Sequence, residues 1–509
     1  MAVKRQTAIS VFWVGVATVV TKAFSALQML ILAKLLLPAD FGLVQVAFLG
    51  IAALELFREL GFGSALIYRR DDLEKAADTA FTAIVLSSAL LYLVALFAAE
   101  PLMSLVSKDA SSVAQAVPVL RVLALTMVIS SIGQVPTILL AKDLNFRRKI
   151  VPEMVGALGG AILSITLAVA RLGVWSLVSG YLFEATLAAT VIWFVCPWRP
   201  RWRFHWQTAR EMFSYGKSIV GSHVLVFLIT NTDDAFVSKL LGPTQLGYYG
   251  FAYKTSNLPA TQITRLVGQV TFPAFSKVQD NLEILRDIYL KTTRYASLVA
   301  VPAAICIIAF ASDFINGVYG KTWAPAILPL QLLGVYGLMR SIAANMGNVF
   351  KAGGKPHWLV GIAILRLAVM VIGLYPATRY YGIVGVSALS AVVAVLDFFL
   401  SMVLTNRLVG LPTGDFLRML LPIFTNSLIA VTAAKLVYPY LFFDLAWRRP
   451  VIIALPLAGL VMFGVYGLLT WLIDAEFRNL ARSSWREGQQ RGREWLSRLS
   501  AKWQGKEAI

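Results

Sequence analysis

Long uninterrupted apolar stretches constrain the fold of this chain more than any other feature. A helix that spans a bilayer needs about 20 mostly apolar residues, and about 14 stretches reach that length. They are too long and too continuous for the alternating strands of a membrane β-barrel. The sequence therefore predicts an all-α polytopic membrane protein. The predicted spans lie near residues 10–36, 41–67, 77–99, 114–140, 150–170, 174–196, 213–241, 246–275, 291–312, 325–350, 358–379, 383–405, 416–439 and 450–473.

The composition excludes several classes of protein. Hydrophobic residues make up 58% of the 509 residues and charged residues 14%, whereas soluble domains average roughly 45–50% and about 25%. The net charge of +19 indicates basic loops rather than nucleic-acid binding. Two isolated cysteines, Cys196 and Cys306, and three dispersed histidines predict neither a disulfide nor a metal site. No nucleotide-binding or hydrolase motif occurs, so we expect a protein that is not an enzyme and needs no cofactor.

The distribution of Lys and Arg predicts the orientation. With the N-terminus inside, inner loops and tails carry 28 basic residues and outer loops six. Cytoplasmic loops are enriched in Lys and Arg, and an even number of helices places both termini on one side. We therefore expect a multi-pass protein of the bacterial inner membrane with cytoplasmic termini. The tail at 475–509 is predicted to be a basic amphipathic helix on the membrane surface.

Two segments of the chain are similar to each other. Residues 34–48 read KLLLPADFGLVQVAF and residues 239–253 read KLLGPTQLGYYGFAY, which pairs Pro38 with Pro243 and Gly42 with Gly247. Further matches follow in the same order at offsets of 207–209. Four ordered matches indicate an internal repeat.

Each repeat contains six predicted helices, so the two copies cross the membrane in the same direction. The sequence predicts an N-lobe at 1–205, a C-lobe at 206–410 and two additional helices at 411–474. The linker PWRPRWRFHW at 197–206 alternates Arg with aromatic residues. It is typical of a segment at the headgroup interface.

Ionisable side chains inside spans are costly and mark candidate functional sites. Arg58 and Arg265 occupy matching repeat positions, so the repeat symmetry would bring one Arg from each lobe to a shared cavity. Arginine binds phosphate through paired hydrogen bonds. The predicted lining for an anionic headgroup comprises Lys22, Arg58, Lys254, Arg265 and Arg340.

Four carboxylates are candidates for ion coupling. Glu55 and Glu59 share a helix face beside Arg58; they either neutralise that guanidinium or bind a proton. Asp233 and Asp234 are adjacent in the seventh span, and close carboxylates favour binding of a proton or cation. The alternative is a structural pairing with Lys254. Side chains of neighbouring helical residues diverge by about 100°, so only one aspartate can face the cavity; we expect it to be Asp233.

The arrangement of six, six and two spans, together with NTDDAFVSKLLGPTQLGYYGFAYK at 231–254 and Pro-Ala-Phe-Ser at 273–276, resembles polysaccharide exporters of the Wzx type. These belong to a wider group with MurJ-type lipid II flippases and MATE drug exporters. The resemblance covers essentially the whole chain. It implies two lobes around a cavity lined by helices one, two, seven and eight. These helices carry Lys22, Arg58, Asp233, Lys254 and Arg265 here.

The resemblance also implies alternating access and a cargo of polyprenyl-pyrophosphate-linked oligosaccharide, in contact with membrane lipids and with the polymerase or export machinery. Two other functions remain open. An ion-coupled antiporter of the MATE type would require a net acidic site for cationic drugs. A polyprenyl-dependent glycosyltransferase or polymerase would require large outer loops, whereas the longest here have about 10–15 residues.

Overall fold

The computed structural model describes residues 21–478 except 22–23, 26, 70, 144, 262–270, 272–274, 276, 279–280, 443–450 and 475–477. Within this part of the chain the regular structure is entirely helical. The predicted amphipathic tail lies outside it, apart from Arg478. The helices are α1 (27–35), α2 (Pro38–Glu55), α3 (Phe62–Tyr68), α4 (Leu73–Phe97), α5 (Ala99–Val106), α6 (Ala110–Leu123), α7 (Leu125–Lys142), α8 (Phe146–Val169), α9 (Val174–Val195), α10 (Trp206–Leu241), α11 (Pro243–Ser256), α12 (Leu282–Phe314), α13 (Ile327–Ile342), α14 (Met346–Ala352), α15 (Pro356–Leu408), α16 (Thr413–Val437) and α17 (Val451–Ile473).

The described residues contain ten helices or continuous helical runs long and apolar enough to cross a membrane. This confirms a multi-pass membrane protein. The number is smaller than the predicted 14 partly because neighbouring spans are joined: α15 is a 53-residue run that covers two predicted spans. Its kink is at Gly382, whose φ of 59° and ψ of −146° are not helical. The predicted boundary at 379–383 therefore coincides with a real change of backbone direction.

The second predicted span, at 41–67, is not one continuous helix. It is interrupted between α2 and α3, where Leu60 and Gly61 have left-handed φ values of 46° and 80°. Gly61 packs against Gly216 of α10, and a Cβ at position 61 would lie 2.7 Å from the Gly216 carbonyl carbon. Irregular backbone at membrane depth is tolerated only where it is buried in protein or lines a cavity. The interruption carries Arg58 and Glu59.

Contacts divide the chain into two compact units. The first consists of Met1–Asn257, Phe314–Tyr336 and His357–Asp397. Within it, α8 and α9 pack closely through small residues: Gly180 fits against Ser164 and the Gly160 carbonyl. The second consists of Leu258–Asp313, Gly337–Pro356 and Phe398–Ile509. Its core contains α12, α16 and α17. The predicted lobes have different boundaries and stay a prediction.

Two repeat-matched helices of the first unit, α2 and α11, cross at their first turns. Gly42 lies against the carbonyl of Pro243, and Gly247 lies against the carbonyl of Pro38. A Cβ on either glycine would overlap the opposing carbonyl, so only glycine allows this approach. The contact is reciprocal, because Pro38 and Pro243 occupy matching positions in the two similar segments and each proline meets the glycine of the other helix.

A short 3-10 helix, Lys321–Ala326, covers this crossing. Its Trp323 is fully buried, and the indole Nε1 donates a hydrogen bond of 3.0 Å to the Ala33 carbonyl. The ring packs edge-on against Phe41 of α2 and Tyr248 of α11. The Tyr248 hydroxyl donates to the Thr322 carbonyl at 2.9 Å. Aromatic packing thus ties the segment to both helices.

The linker at 197–206 packs against α4. Trp198 and Trp202 pack on Phe81, with ring centroids 5.9 and 5.3 Å away. The Arg201 amide donates to Asp78 Oδ1 at 3.1 Å. These contacts fix the linker in place; its predicted position at the headgroup interface stays a prediction.

Candidate transport cavity

A cavity of about 330 Å³ lies within the first unit, between α2, α10 and α11. Such a volume is at the lower end of the range for small-molecule sites, roughly 300–1,000 Å³. Most of its wall is apolar and aromatic. Its polar side chains are Gln45, Glu55, Thr126, Tyr181, Asn231, Asp234 and Lys254. Three of the residues singled out from the sequence, Glu55, Asp234 and Lys254, are therefore brought to one cavity.

The two adjacent aspartates have different surroundings, in the reverse of the expected order. Asp234, not Asp233, lines the cavity, where its Oδ2 accepts a 3.0 Å hydrogen bond from Gln45 Nε2. Asp233 is buried, with 7% of its surface exposed, and its Oδ2 accepts a 2.6 Å hydrogen bond from the Tyr249 hydroxyl. The rotation of α10 about its own axis explains this difference, because Asp234 faces α2 and Asp233 faces α11.

Arg58 lies at the interruption that follows α2. Its Nη1 is 3.5 Å from Glu55 Oε1, so Glu55 partly neutralises the guanidinium. Glu59 does not share this role, because its Oε1 accepts a short hydrogen bond from Gln134 of α7. The Arg58 carbonyl accepts a 2.7 Å hydrogen bond from Ser87, which anchors the interruption to α4.

The remaining predicted lining residues are not among the described residues that line this cavity. Lys22 and Arg265 lie outside the described residues. Arg340 lies near the end of α13 in the second unit and is half-buried. Among the described residues no group of three or more His, Cys, Asp or Glu could hold a metal ion.

Three other charged residues within predicted spans, Arg294, Arg366 and Lys435, are each paired with an aspartate of the same unit. Arg366 and Asp397 lie on the two arms of α15, on either side of Gly382. The pairs are Arg366 with Asp397 at 3.7 Å, Arg294 with Asp474, and Lys435 with Asp313. Pairing lowers the cost of a charge in the membrane. These residues therefore have a structural explanation that does not require a transport path.

Sequence reasoning missed Gln45 and Tyr249, which are the hydrogen-bond donors to the two aspartates. Neither is charged, and each lies in a largely apolar helix. Their positions in the two similar segments could have indicated them. Gln45 lies seven residues after Pro38, and Tyr249 lies six residues after Pro243.

The chain matches the family described as "Polysaccharide biosynthesis protein" over residues 31–328. It is 24% identical over 407 residues to the lipopolysaccharide biosynthesis protein WzxC of Escherichia coli K12, covering 79% of this chain and 81% of WzxC. It is 23% identical over 395 residues to the teichuronic acid biosynthesis protein TuaB of Bacillus subtilis, covering 76% and 80%.

Two solved structures have a similar fold. The lipid II flippase MurJ in an inward closed conformation has a TM-score of 0.73 and 15% identity, covering 92% of this chain and all of MurJ. An inward-facing MATE family multidrug transporter has a TM-score of 0.60 and 16% identity, covering 78% of this chain and 98% of that structure. At these identities the likeness concerns the fold. The family match covers more than half of the chain, and the chain therefore belongs to the family of polysaccharide biosynthesis proteins.

Proposed function

We propose that this protein is an alternating-access flippase that moves a polyprenyl-pyrophosphate-linked oligosaccharide across the bacterial inner membrane. The cargo passes from the cytoplasmic to the periplasmic leaflet for assembly of a surface polysaccharide, without a change in its covalent bonds. The polymerase or export machinery receives it. Names of relatives support this: one is a succinoglycan biosynthesis transport protein and another a probable glycan biosynthesis flippase.

The observation that carries the proposal is the position of Arg58. A guanidinium at a helix interruption within an apolar span requires a polar environment, because an arginine facing lipid is costly. Glu55 offsets its charge only partly, from 3.5 Å. The pyrophosphate of a lipid-linked cargo suits Arg58, and Lys22, Lys254, Arg265 and Arg340 remain our further candidates for binding it.

The proposed layout has fourteen spans, two six-helix lobes and two additional helices. Its support is the backbone at matching positions. Gly173, which precedes α9, has φ 55° and ψ −133°, close to the values of Gly382. The reciprocal contact of Gly42 and Gly247 is also what a pseudo-two-fold between repeats would produce. The excess of basic residues in inner loops supports cytoplasmic termini.

The first test is the loss of the headgroup arginines. Each of Arg58→Ala and Arg265→Ala removes a charge-assisted contact worth roughly 1.5–3 kcal/mol, so we expect about ten-fold slower flipping or more. Membrane insertion should be unaffected. The measurement is delivery of lipid-linked oligosaccharide in proteoliposomes and surface polysaccharide in cells, at matched protein levels.

Arg418→Ala is the matched control, because this arginine is largely exposed, with 85% of its side chain accessible. Normal polysaccharide in both Arg58→Ala and Arg265→Ala cells would contradict the proposal. Transport of cationic drugs with no movement of lipid-linked oligosaccharide would instead favour the antiporter alternative.

A further inference from the structure

A second cavity of the first unit lies beside the interruption between α2 and α3. It has a volume of about 460 Å³ and is bounded by α3, α7 and α9. Its polar wall, called here the polar edge, consists of Arg58, Glu59, Ser64, Ser130, Gln134 and Thr137. The rest of its wall is apolar and includes the alanines of α9 together with isoleucines of α3, α7 and α9. The cavity is thus lined by both polar and apolar residues.

Two buried polar atoms on this edge have no hydrogen-bond partner among the described residues: Arg58 Nε and Gln134 Oε1. Buried polar atoms are normally paired, and leaving them unpaired costs free energy. One is a donor and the other is an acceptor. A hydroxyl group can both donate and accept, so a ligand rich in hydroxyls could satisfy both atoms.

The charges of the cavity disfavour an anion. Arg58 is partly offset by Glu55, and Glu59 contributes a carboxylate to the wall of this cavity. A phosphate placed here would face that carboxylate, whereas hydroxyl groups donate to it. A hydrocarbon tail would bury the polar edge without hydrogen bonds, which is unfavourable. A sugar ring has hydroxyls along its edge and an apolar C–H face, and it fits both walls.

The cavity is also close to one membrane surface. The seven residues of α3 separate the interruption from the polar loop at 69–72, a distance of about 10 Å along a helix. By the proposed orientation this loop is cytoplasmic, on the side from which the cargo is taken up.

We infer that this cavity beside the α2–α3 interruption binds the sugar unit next to the pyrophosphate, with Glu59 and Gln134 as the residues that determine sugar specificity. The inference rests on the proposed function and adds to it a separate subsite for the saccharide. Arg58 lines this cavity, and its Nη1 lies 3.5 Å from Glu55 Oε1.

The test compares binding of farnesyl pyrophosphate with that of the same compound carrying glucose, galactose or N-acetylglucosamine on its terminal phosphate. The full-length protein is reconstituted in nanodiscs. We expect at least one glycosylated probe to bind about ten-fold more tightly than farnesyl pyrophosphate. Glu59→Gln and Gln134→Ala should each lower the affinity for that glycosylated probe more than the affinity for farnesyl pyrophosphate. Gln115→Ala, an exposed glutamine of α6, should retain the gain.

The outcomes separate the two proposals. If all four compounds bind equally well to the unaltered protein, or the gain survives in both cavity variants, the sugar subsite is wrong and the flippase proposal stands. If none of the four compounds binds and flipping is absent, both proposals fail. If the variants weaken farnesyl pyrophosphate as much as its glycosylated forms, the cavity binds the pyrophosphate instead.

A second measurement leaves Glu59 and Gln134 unchanged. Ser64→Cys, in a protein whose Cys196 and Cys306 are changed to Ala, places a thiol on the cavity edge. We expect the glycosylated probe that binds most tightly to slow the alkylation of this thiol by N-ethylmaleimide. Farnesyl pyrophosphate should not slow it. Equal protection by farnesol would show that a lipid tail occupies the cavity and would overturn the inference.

Discussion

Individual charged residues in the spans fall into two groups that the structure separates. Arg366, Asp397, Lys435 and Asp313 pair across helices or along α15, and this pairing explains their presence in an apolar environment. Asp234 and Lys254 instead line a cavity. The distinction matters because an intramembrane charge is a functional candidate only when it has no structural partner that accounts for it.

The pairing of Lys435 with Asp313 predicts a specific pattern of stability. Lys435 also lies over the Phe310 ring at 4.6 Å. Lys435→Met leaves Asp313 without its cation, and we expect a loss of roughly 1–3 kcal/mol. The double change Asp313→Asn with Lys435→Met should recover part of this loss, because no lone charge is left. Thermal unfolding of the detergent-solubilised protein measures the effect.

Lys321→Met serves as the control, since this lysine is exposed. The single variant Asp313→Asn is measured as well. If the double variant loses as much unfolding free energy as the two single variants lose when added together, the pair contributes no coupling energy.

At the scale of helices, the crossing of α2 and α11 depends on two glycines. Gly42→Ala or Gly247→Ala places a methyl group into the opposing proline carbonyl. The helices must then move apart, which also disturbs the packing of Trp323. Overpacking of this kind costs roughly 1–3 kcal/mol, so we expect a lower unfolding temperature and slower flipping for each variant.

Gly221→Ala on α10 is the matched control, because no atom outside its own helix lies within 4 Å of a Cβ added there. Alanine in a helix is favoured over glycine by about 1 kcal/mol, so this variant should be at least as stable as the unaltered protein. An unfolding temperature of Gly42→Ala as high as that of Gly221→Ala would disprove the close-contact interpretation.

For the whole molecule the open question is what drives transport. Asp233 and Asp234 remain our candidates for ion coupling, with Glu55 and Glu59 as further carboxylates near Arg58. Because Asp234 lines the cavity, we expect Asp234→Asn to abolish any acceleration of flipping by an imposed proton or sodium gradient. Asp233→Asn should retain more of that response, since its carboxylate is buried against Tyr249. Binding of a proton or cation to the Asp234 carboxylate would favour one of the two alternating-access conformations over the other.

Flipping in proteoliposomes, with and without each gradient, measures this. Asn231→Ala, which alters the same cavity without removing a carboxylate, is the control for general damage. If neither gradient changes the rate for the unaltered protein, coupling by these aspartates is excluded and the cargo gradient or membrane potential must suffice.

The sequence alone was enough for the all-helical membrane fold class and the family resemblance. The length of an apolar stretch is a local property of the sequence, and a stretch long enough to cross the bilayer has to be helical there. The predicted repeat stays a prediction. It pairs Gly42 with Gly247 and Gly173 with Gly382, and in the structure the first pair makes a reciprocal contact and the second has a similar backbone conformation.

Only the tertiary structure decided how the polar groups are partnered. Gln45 and Asp234 are 189 residues apart, and no local pattern predicts that they meet. The interruption at Arg58 depends on the approach of Gly216 from α10 to Gly61. Which aspartate faces the cavity depends on the rotation of α10 against α2 and α11. These features arise from packing between distant segments, whereas the spans follow from the polarity of consecutive residues.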